Sequence, residues 1–269
     1  VHKNKYIGVF LSPPPKMKLE AECIPCLLRR IVYEAEMVEP EKAFDAVMLG
    51  CRILANATKS GVSVEIATKV HHAVYKLLGT EDPYKDVKQR SNQVALSLLP
   101  EIKRTIEHSD DPLRTAFLAA IAGNVMDFGI RGGIAKPELL REKVFEMMEQ
   151  GLAVDDIDEA IDRARGKEVL YFADNCGEIV FDSIVIDMLR DMGIRVVLVV
   201  KGGPILSDAT MEDVKNLGIK ADEYMTTNSR AVGVDFKKIG EGLRNKLENC
   251  NLIIAKGMAN FESFSETDY

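Results

Sequence analysis

The chain has 269 residues, 46% of them hydrophobic and 29% charged, with no tryptophan, which is the composition of an ordinary globular protein large enough for one large domain or two modest ones. Its 35 Lys and Arg against 42 Asp and Glu leave a formal charge of -7, so nothing in the totals suggests the basic patch needed for a sequence-independent grip on nucleic acid. Five cysteines spread over a long chain argue against a disulfide framework and for a reducing cytoplasm, and no apolar run approaches the ~20 residues of a membrane span.

Residues 1–16 read as a leader outside the core. The apolar stretch from Tyr6 to Leu11 is too short for a signal-peptide core and runs into Pro13, Pro14 and Pro15, while Met17 looks like a natural start. From Glu22 to about Arg165 apolar positions recur at three- and four-residue spacing, broken at Gly61, at Asp82 and Pro83, at Asp111 and Pro112, and at Gly132 and Gly133. This predicts a helical subdomain over residues 17–165, with helices at 24–37, 41–57, 63–78, 96–108 and 113–125.

After Gly166 the period changes. Val169 to Ala173 form a short apolar run ending in Asp174, Asn175, Cys176 and Gly177, the pattern of a buried parallel strand. Helical spacing returns over 178–192, a second buried strand follows at 196–200 and closes on Gly202, Gly203 and Pro204, and a third at 252–255 closes on Lys256 and Gly257. The prediction is an α/β fold: a Rossmann-like three-layer core with a mostly parallel sheet over residues 166–269, joined to the N-terminal helical part. Right-handed crossovers bring all three polar turns to one sheet edge, where such sheets bind ligands.

Asp174 and Asn175 end the first strand and Asp208 follows the second. A carboxylate, an amide carbonyl and a second carboxylate form an oxygen donor set suited to Mg²⁺ or Mn²⁺. Helix capping competes with this reading, since Asp174 and Asn175 precede one helix and Asp208 another. Gly202 and Gly203 allow either a tight turn or an anion resting on backbone N–H groups. Lys201 and Lys256 end strands at the same edge, placed to neutralise a phosphate or to remain solvated.

These residues resemble a family once catalogued as domain of unknown function 89 and now called damage-control phosphatases, metal-dependent hydrolases of small phosphorylated metabolites. The resemblance spans the chain from Met17 and is carried by six motifs in order: Cys23-Ile24-Pro25-Cys26, of the archaeal and bacterial type; residues 86–92 (DVKQRSN); residues 123–129 (GNVMDFG); residues 172–181 (FADNCGEIVF); residues 202–210 (GGPILSDAT); and Ala259-Asn260-Phe261-Glu262. It implies Asp174, Asn175 and Asp208 as ligands of a divalent ion, Mn²⁺, Ni²⁺, Co²⁺ or Mg²⁺, and a small phosphorylated metabolite as substrate. It also implies that Arg90, Asn92, Asn124 and Asp127 face the site, with Gly202, Gly203, Lys256 and Asn260 on the substrate or phosphate side. The sequence departs from the family pattern at Met258 and Ala259, and relatives continue past the Asn-Phe-Glu turn with another strand and basic residues, which the resemblance implies beyond Tyr269.

Cys23 and Cys26 begin a helix, where a thiol pKa is lowered. They are expected to act as accessory thiols, because His2, His71, His72 and His108 do not complete a recognised zinc spacing with them. Metal-dependent phosphoester hydrolysis is the leading reading. A covalent route through Asp174, as in haloacid-dehalogenase-like phosphatases, would want a second aspartate where Cys176 stands. A non-catalytic metal or nucleotide sensor and an S-adenosylmethionine-dependent methyltransferase are the readings from other classes, and the Asp-Asn-Cys-Gly turn lacks the acidic glycine-rich loop that methyl transfer favours.

Overall fold

A computed structural model describes residues 8–9, 18–57, 61–126 and 137–269. Asp127, the expected break at Gly132 and Gly133, and most of the expected leader lie outside the described residues. Within that leader, Gly8–Val9 (β1) pairs parallel with Val154–Asp155 (β2), so this short piece joins the structured chain.

Helices α1 (Cys23–Val38), α2 (Ala43–Ala55) and α3 (Ser63–Leu78) close on a core of their own. Ile31 and Ala35 on α1, Ala46 and Leu54 on α2, and Val70 and Val74 on α3 fill it, the four-residue spacing lining up one stripe per helix. Gly79 ends α3 at φ 73, the left-handed conformation that lets a chain leave a helix.

Helix α4 (Lys85–Glu107) starts well before the expected residue 96. Its first turns bury Lys88, Ser91 and Asn92, polar side chains that leave no apolar period to read. Helix α5 (Pro112–Ala122) starts as its sequence indicates, Asp111 Oδ1 accepting from Arg114 N at 3.0 Å ahead of a proline at the first position. Helices α6 (Pro137–Gln150) and α7 (Ile157–Ala164) complete this part.

The remainder runs β3 (Glu168–Phe172), α8 (Glu178–Asp191), β4 (Arg195–Val200), α9 (Met211–Leu217), β5 (Glu223–Thr226), α10 (Glu241–Asn249), β6 (Leu252–Ala255) and α11 (Met258–Phe264). The sheet is parallel throughout in the order β5-β4-β3-β6. Strand β5, an edge strand that the sequence reading does not include, is Glu-Tyr-Met-Thr and offers no apolar run, unlike β6 at the other edge, which is Leu-Ile-Ile-Ala. On one sheet face Val169, Tyr171, Val196, Leu198 and Val200 share a core with α8. On the other, Leu170, Phe172, Val197 and Val199 pack on Leu243, Leu247 and Phe264. Three layers result, and α4 and α5 also pack on α8.

The chain enters the sheet at β3, moves outward through β4 and β5, then returns to β6 on the other side of β3. Helix α8, after β3, covers one face of the sheet and α11, after β6, covers the other, which opens a crevice beyond the carboxyl ends of these two strands, the ligand position of doubly wound sheets. Among the described residues no helix is long and apolar enough to cross a membrane.

Asp222, just before the edge strand, accepts from Val196 N at 2.9 Å and Arg190 Nε at 3.1 Å, and these hold its carboxyl below the usual range, the backbone bond contributing most. A depressed folded pKa means stability present above about pH 4 and lost as pH falls through the folded value. Asp222→Ala is expected to cost roughly 1 kcal/mol at pH 7, with the gap to wild type narrowing in urea melts repeated at progressively lower pH.

Candidate active site

Ala173 N donates to Val199 O at 3.0 Å, after which Asp174 and Asn175 emerge from β3 into the crevice. Helix α8 is entered through Gly177 at φ 82 with no side-chain cap. At α9, Asp213 Oδ2 accepts from Thr210 N at 2.9 Å and from Thr210 Oγ1 at 2.7 Å. Asp174, Asn175 and Asp208 are thus not spent on capping either helix.

Backbone bonds lock the two strand-end turns together. Cys176 N donates to Ser207 O at 2.8 Å and Ala209 N to Asp174 O at 2.7 Å, which makes Asn175 and Asp208 antiparallel bridge partners. Ser207 Oγ donates to Asn175 Oδ1 at 2.8 Å. Asp174, Asn175 and Asp208 are 7%, 6% and 4% exposed, so both carboxylates sit where water cannot screen them. Burial, the facing Asp208 carboxylate and Glu178 push the Asp174 carboxyl well above its ordinary range, and Lys201 pulls the other way.

Neutral amides thread between the acids. Asn175 Nδ2 donates to Asp174 Oδ2 at 2.6 Å and to Glu178 Oε2 at 3.3 Å, and Asn124 Nδ2 reaches the same Glu178 oxygen at 3.2 Å. Lys256 Nζ donates to Glu178 Oε1 at 2.6 Å, Asp182 Oδ1 at 2.7 Å and Ala120 O at 3.1 Å. Tyr171 Oη donates to the same Asp182 oxygen at 2.7 Å. Burial raises the Asp182 carboxyl to about 6 against the pull of Lys256. Burial works against the Lys256 charge, yet Asp182 and Glu178 hold it above the usual lysine range. Gly257, at φ 76, lies against the Asp174 carboxylate, and a Cβ there would overlap it.

Lys256, a phosphate-side or solvated residue in the sequence reading, directs its three hydrogens to three protein acceptors and serves as an internal counter-ion of Glu178 and Asp182. Lys201 is committed likewise, donating to Gly233 O at 2.6 Å and Asn260 Oδ1 at 3.0 Å. Asn260 in turn donates to Ala173 O at 3.1 Å and Lys256 O at 2.7 Å, bracing the ends of β3 and β6. Gly202 N donates to Ser229 O, and Gly202 and Gly203 press against Asn228, Ser229 and the Arg230 side chain; their smallness serves packing of two turns.

From α4, Asn92 Oδ1 accepts from Gly177 N at 2.6 Å, tying the helical part to the start of α8. Arg90 is exposed, since two residues turn a helix by about 200° and put it opposite Asn92. Lys88, one turn earlier on the Asn92 face, was missed although four-residue spacing pointed to it. It is 5% exposed, pairs with Asp82 Oδ2 at 2.6 Å, and that ion pair, with Asp213 nearby, keeps its ammonium above the usual lysine range against the pull of burial. Cys23 and Cys26 are free thiols, and burial raises Cys23 despite its helix-start position. A cavity of about 400 Å³ lined by His72, Lys76, Glu81 and Arg230 contains none of the clustered acids.

Among the described residues no group of three His, Cys, Asp or Glu side chains is arranged to hold a metal; the third donor of the set here is an amide. Two buried facing carboxylates fit a divalent cation, whose charge would offset their repulsion, and oxygen donors suit a hard ion. Lys256→Met leaves Glu178 and Asp182 buried without their ammonium and is expected to cost about 3–5 kcal/mol in denaturant unfolding.

Residues 19–269 match the family described as the damage-control phosphatase ARMT1-like domain. A damage-control phosphatase of Archaeoglobus fulgidus is 37% identical, over 93% of this chain and 88% of its own. One of Pyrococcus horikoshii is 33% identical over 93% and 87%. A crystal structure of a DUF89 family protein from Pyrococcus horikoshii superposes with a TM-score of 0.83 at 31% identity, covering 94% of this chain and 89% of that one. The chain belongs to the damage-control phosphatase ARMT1-like family.

Proposed function

We propose that this chain is a metal-dependent phosphatase that hydrolyses small phosphorylated metabolites, monoesters such as sugar phosphates, nucleotides or phosphorylated cofactor fragments, in a reducing cytoplasm. Asp174, Asn175 and Asp208 would hold the ion, which this donor set allows to be Mn²⁺, Ni²⁺, Co²⁺ or Mg²⁺. The observation that carries the reading is a pair of buried acids, Asp174 and Asp208, meeting at the sheet's switch point with neither used as a helix cap. The relatives named damage-control phosphatases support it further.

When bound, a divalent ion there supplies charge to a phosphoryl oxygen and lowers the pKa of a water. The protein's own residues set the stage. Lys256 holds Glu178, and Glu178 with Asp174 orients the Asn175 amide. Gly257 leaves room for the Asp174 carboxylate. Asn92 and Asn124, reaching in from the helical part, hold the start of α8 and close one side of the crevice, limiting water. A covalent route through Asp174 has less support: the second position beyond it is Cys176, fully buried with its thiol raised by burial and Asp213, not a second carboxylic acid.

Metal-stripped protein would be assayed for phosphate release from a panel of small phosphomonoesters with each ion added back. Wild type is expected to regain turnover with at least one ion, and Asp208→Ala to lose about 100-fold or more while melting within a few degrees of wild type. Turnover independent of added ion, or untouched by Asp208→Ala, would overturn the reading.

A further inference from the structure

Leu206 stands two residues before Asp208 at φ 47, a left-handed backbone that a bulky side chain adopts only when its surroundings hold it. Its N–H donates to Tyr75 Oη, on α3, at 3.1 Å. Tyr75 is 3% exposed and donates to Glu34 Oε1 of α1 at 3.4 Å. That oxygen also takes the Tyr84 hydroxyl at 3.2 Å and lies 2.8 Å from His71 Nδ1. Burial and the Glu34 charge hold the Tyr75 phenol well above its ordinary pKa, so it stays protonated, donating to the acid and accepting from the loop.

The turn that Tyr75 grips is short and continuous with the acid cluster. Asp208 N donates to Ile205 O at 3.1 Å, and Ser207 carries both the backbone bond to Cys176 and the hydroxyl bond to Asn175. Ile205 is fully buried in a cluster with Val64, Ala67, Tyr75, Tyr84 and Val232. A hydroxyl on the helical part thus fixes the one strained peptide of a loop whose next residues hold Asn175 and present Asp208.

We propose that Tyr75 is a positioning residue of the phosphatase site: oriented by Glu34, its hydroxyl holds Leu206 in the conformation that sets Asp208 opposite Asp174. The proposal rests on the reading of Asp208 as an ion ligand. Tyr84 provides the contrast, since it donates to the same Glu34 oxygen while Leu206 N is held by Tyr75.

The test is Mn²⁺ binding by calorimetry to metal-stripped full chain, with melting temperature, for wild type, Tyr75→Phe, Tyr84→Phe, Leu206→Gly and Asp208→Ala. Tyr75→Phe is expected to bind Mn²⁺ about tenfold more weakly, and its kcat at saturating Mn²⁺ to fall about tenfold with KM changed less than twofold. Tyr84→Phe should keep wild-type affinity at a similar loss of melting temperature. Leu206→Gly, which loosens the turn and leaves Tyr75 in place, should weaken binding threefold or more and serves if Tyr75→Phe does not fold. Wild-type affinity in Tyr75→Phe, equal weakening in both phenylalanine variants, or unchanged binding in Leu206→Gly would overturn the proposal alone, provided Asp208→Ala has lost Mn²⁺. Mn²⁺ binding alike in wild type and Asp208→Ala overturns the ligand reading, and the proposal with it.

Discussion

Asp174, Glu178, Asp182 and Asp208 are all buried around one crevice, with Lys201 and Lys256 as the buried ammonium groups among them. Unscreened like charges at such range repel strongly, and most of the local design answers that repulsion. Lys256 is drawn to the pair on α8, and Asn124 and Asn175 contribute hydrogen-bond donors that carry no charge. Asp174 and Asp208 meet at the strand-end turns, where burial, the facing carboxylate and Glu178 push the Asp174 carboxyl well above its ordinary range.

Strand order places this imbalance. Because β6 returns beside β3, the ends of a central strand and of an edge strand lie together, and residues 174 and 256, far apart in the chain, become neighbours around α8. The helical part completes the arrangement: Asn92 from α4, Asn124 after α5, and Tyr75 from α3 each reach a different segment of the strand-end turns.

The sequence carried the parts of the fold built from continuous apolar runs. Strands β3, β4 and β6 stood out because residues 169–172, 196–200 and 252–255 are apolar, whereas β5 at the sheet edge is half polar and gave no signal. The start of α4 was hidden because Lys88, Ser91 and Asn92 occupy its buried face. Asp174, Asn175 and Asp208 could be proposed from strand-end position alone. Glu178 and Asp182 could not: four residues apart on a helix, two acids read as a solvated face, and only Lys256, 74 and 78 residues away, explains them. Lys256, which at a strand end reads as a cation able to neutralise a phosphate, is in space the counter-ion of these two acids.

Helix α8 buries Glu178, Ile179, Val180, Phe181 and Asp182 consecutively, which requires neighbours on every side: the sheet beneath it, α4 and α5 above. Neither α4 and α5 nor the sheet can detach without exposing that helix and the charges it carries. A chain whose sequence pattern divides near residue 165 should therefore melt as one cooperative unit, its calorimetric and van't Hoff enthalpies coinciding.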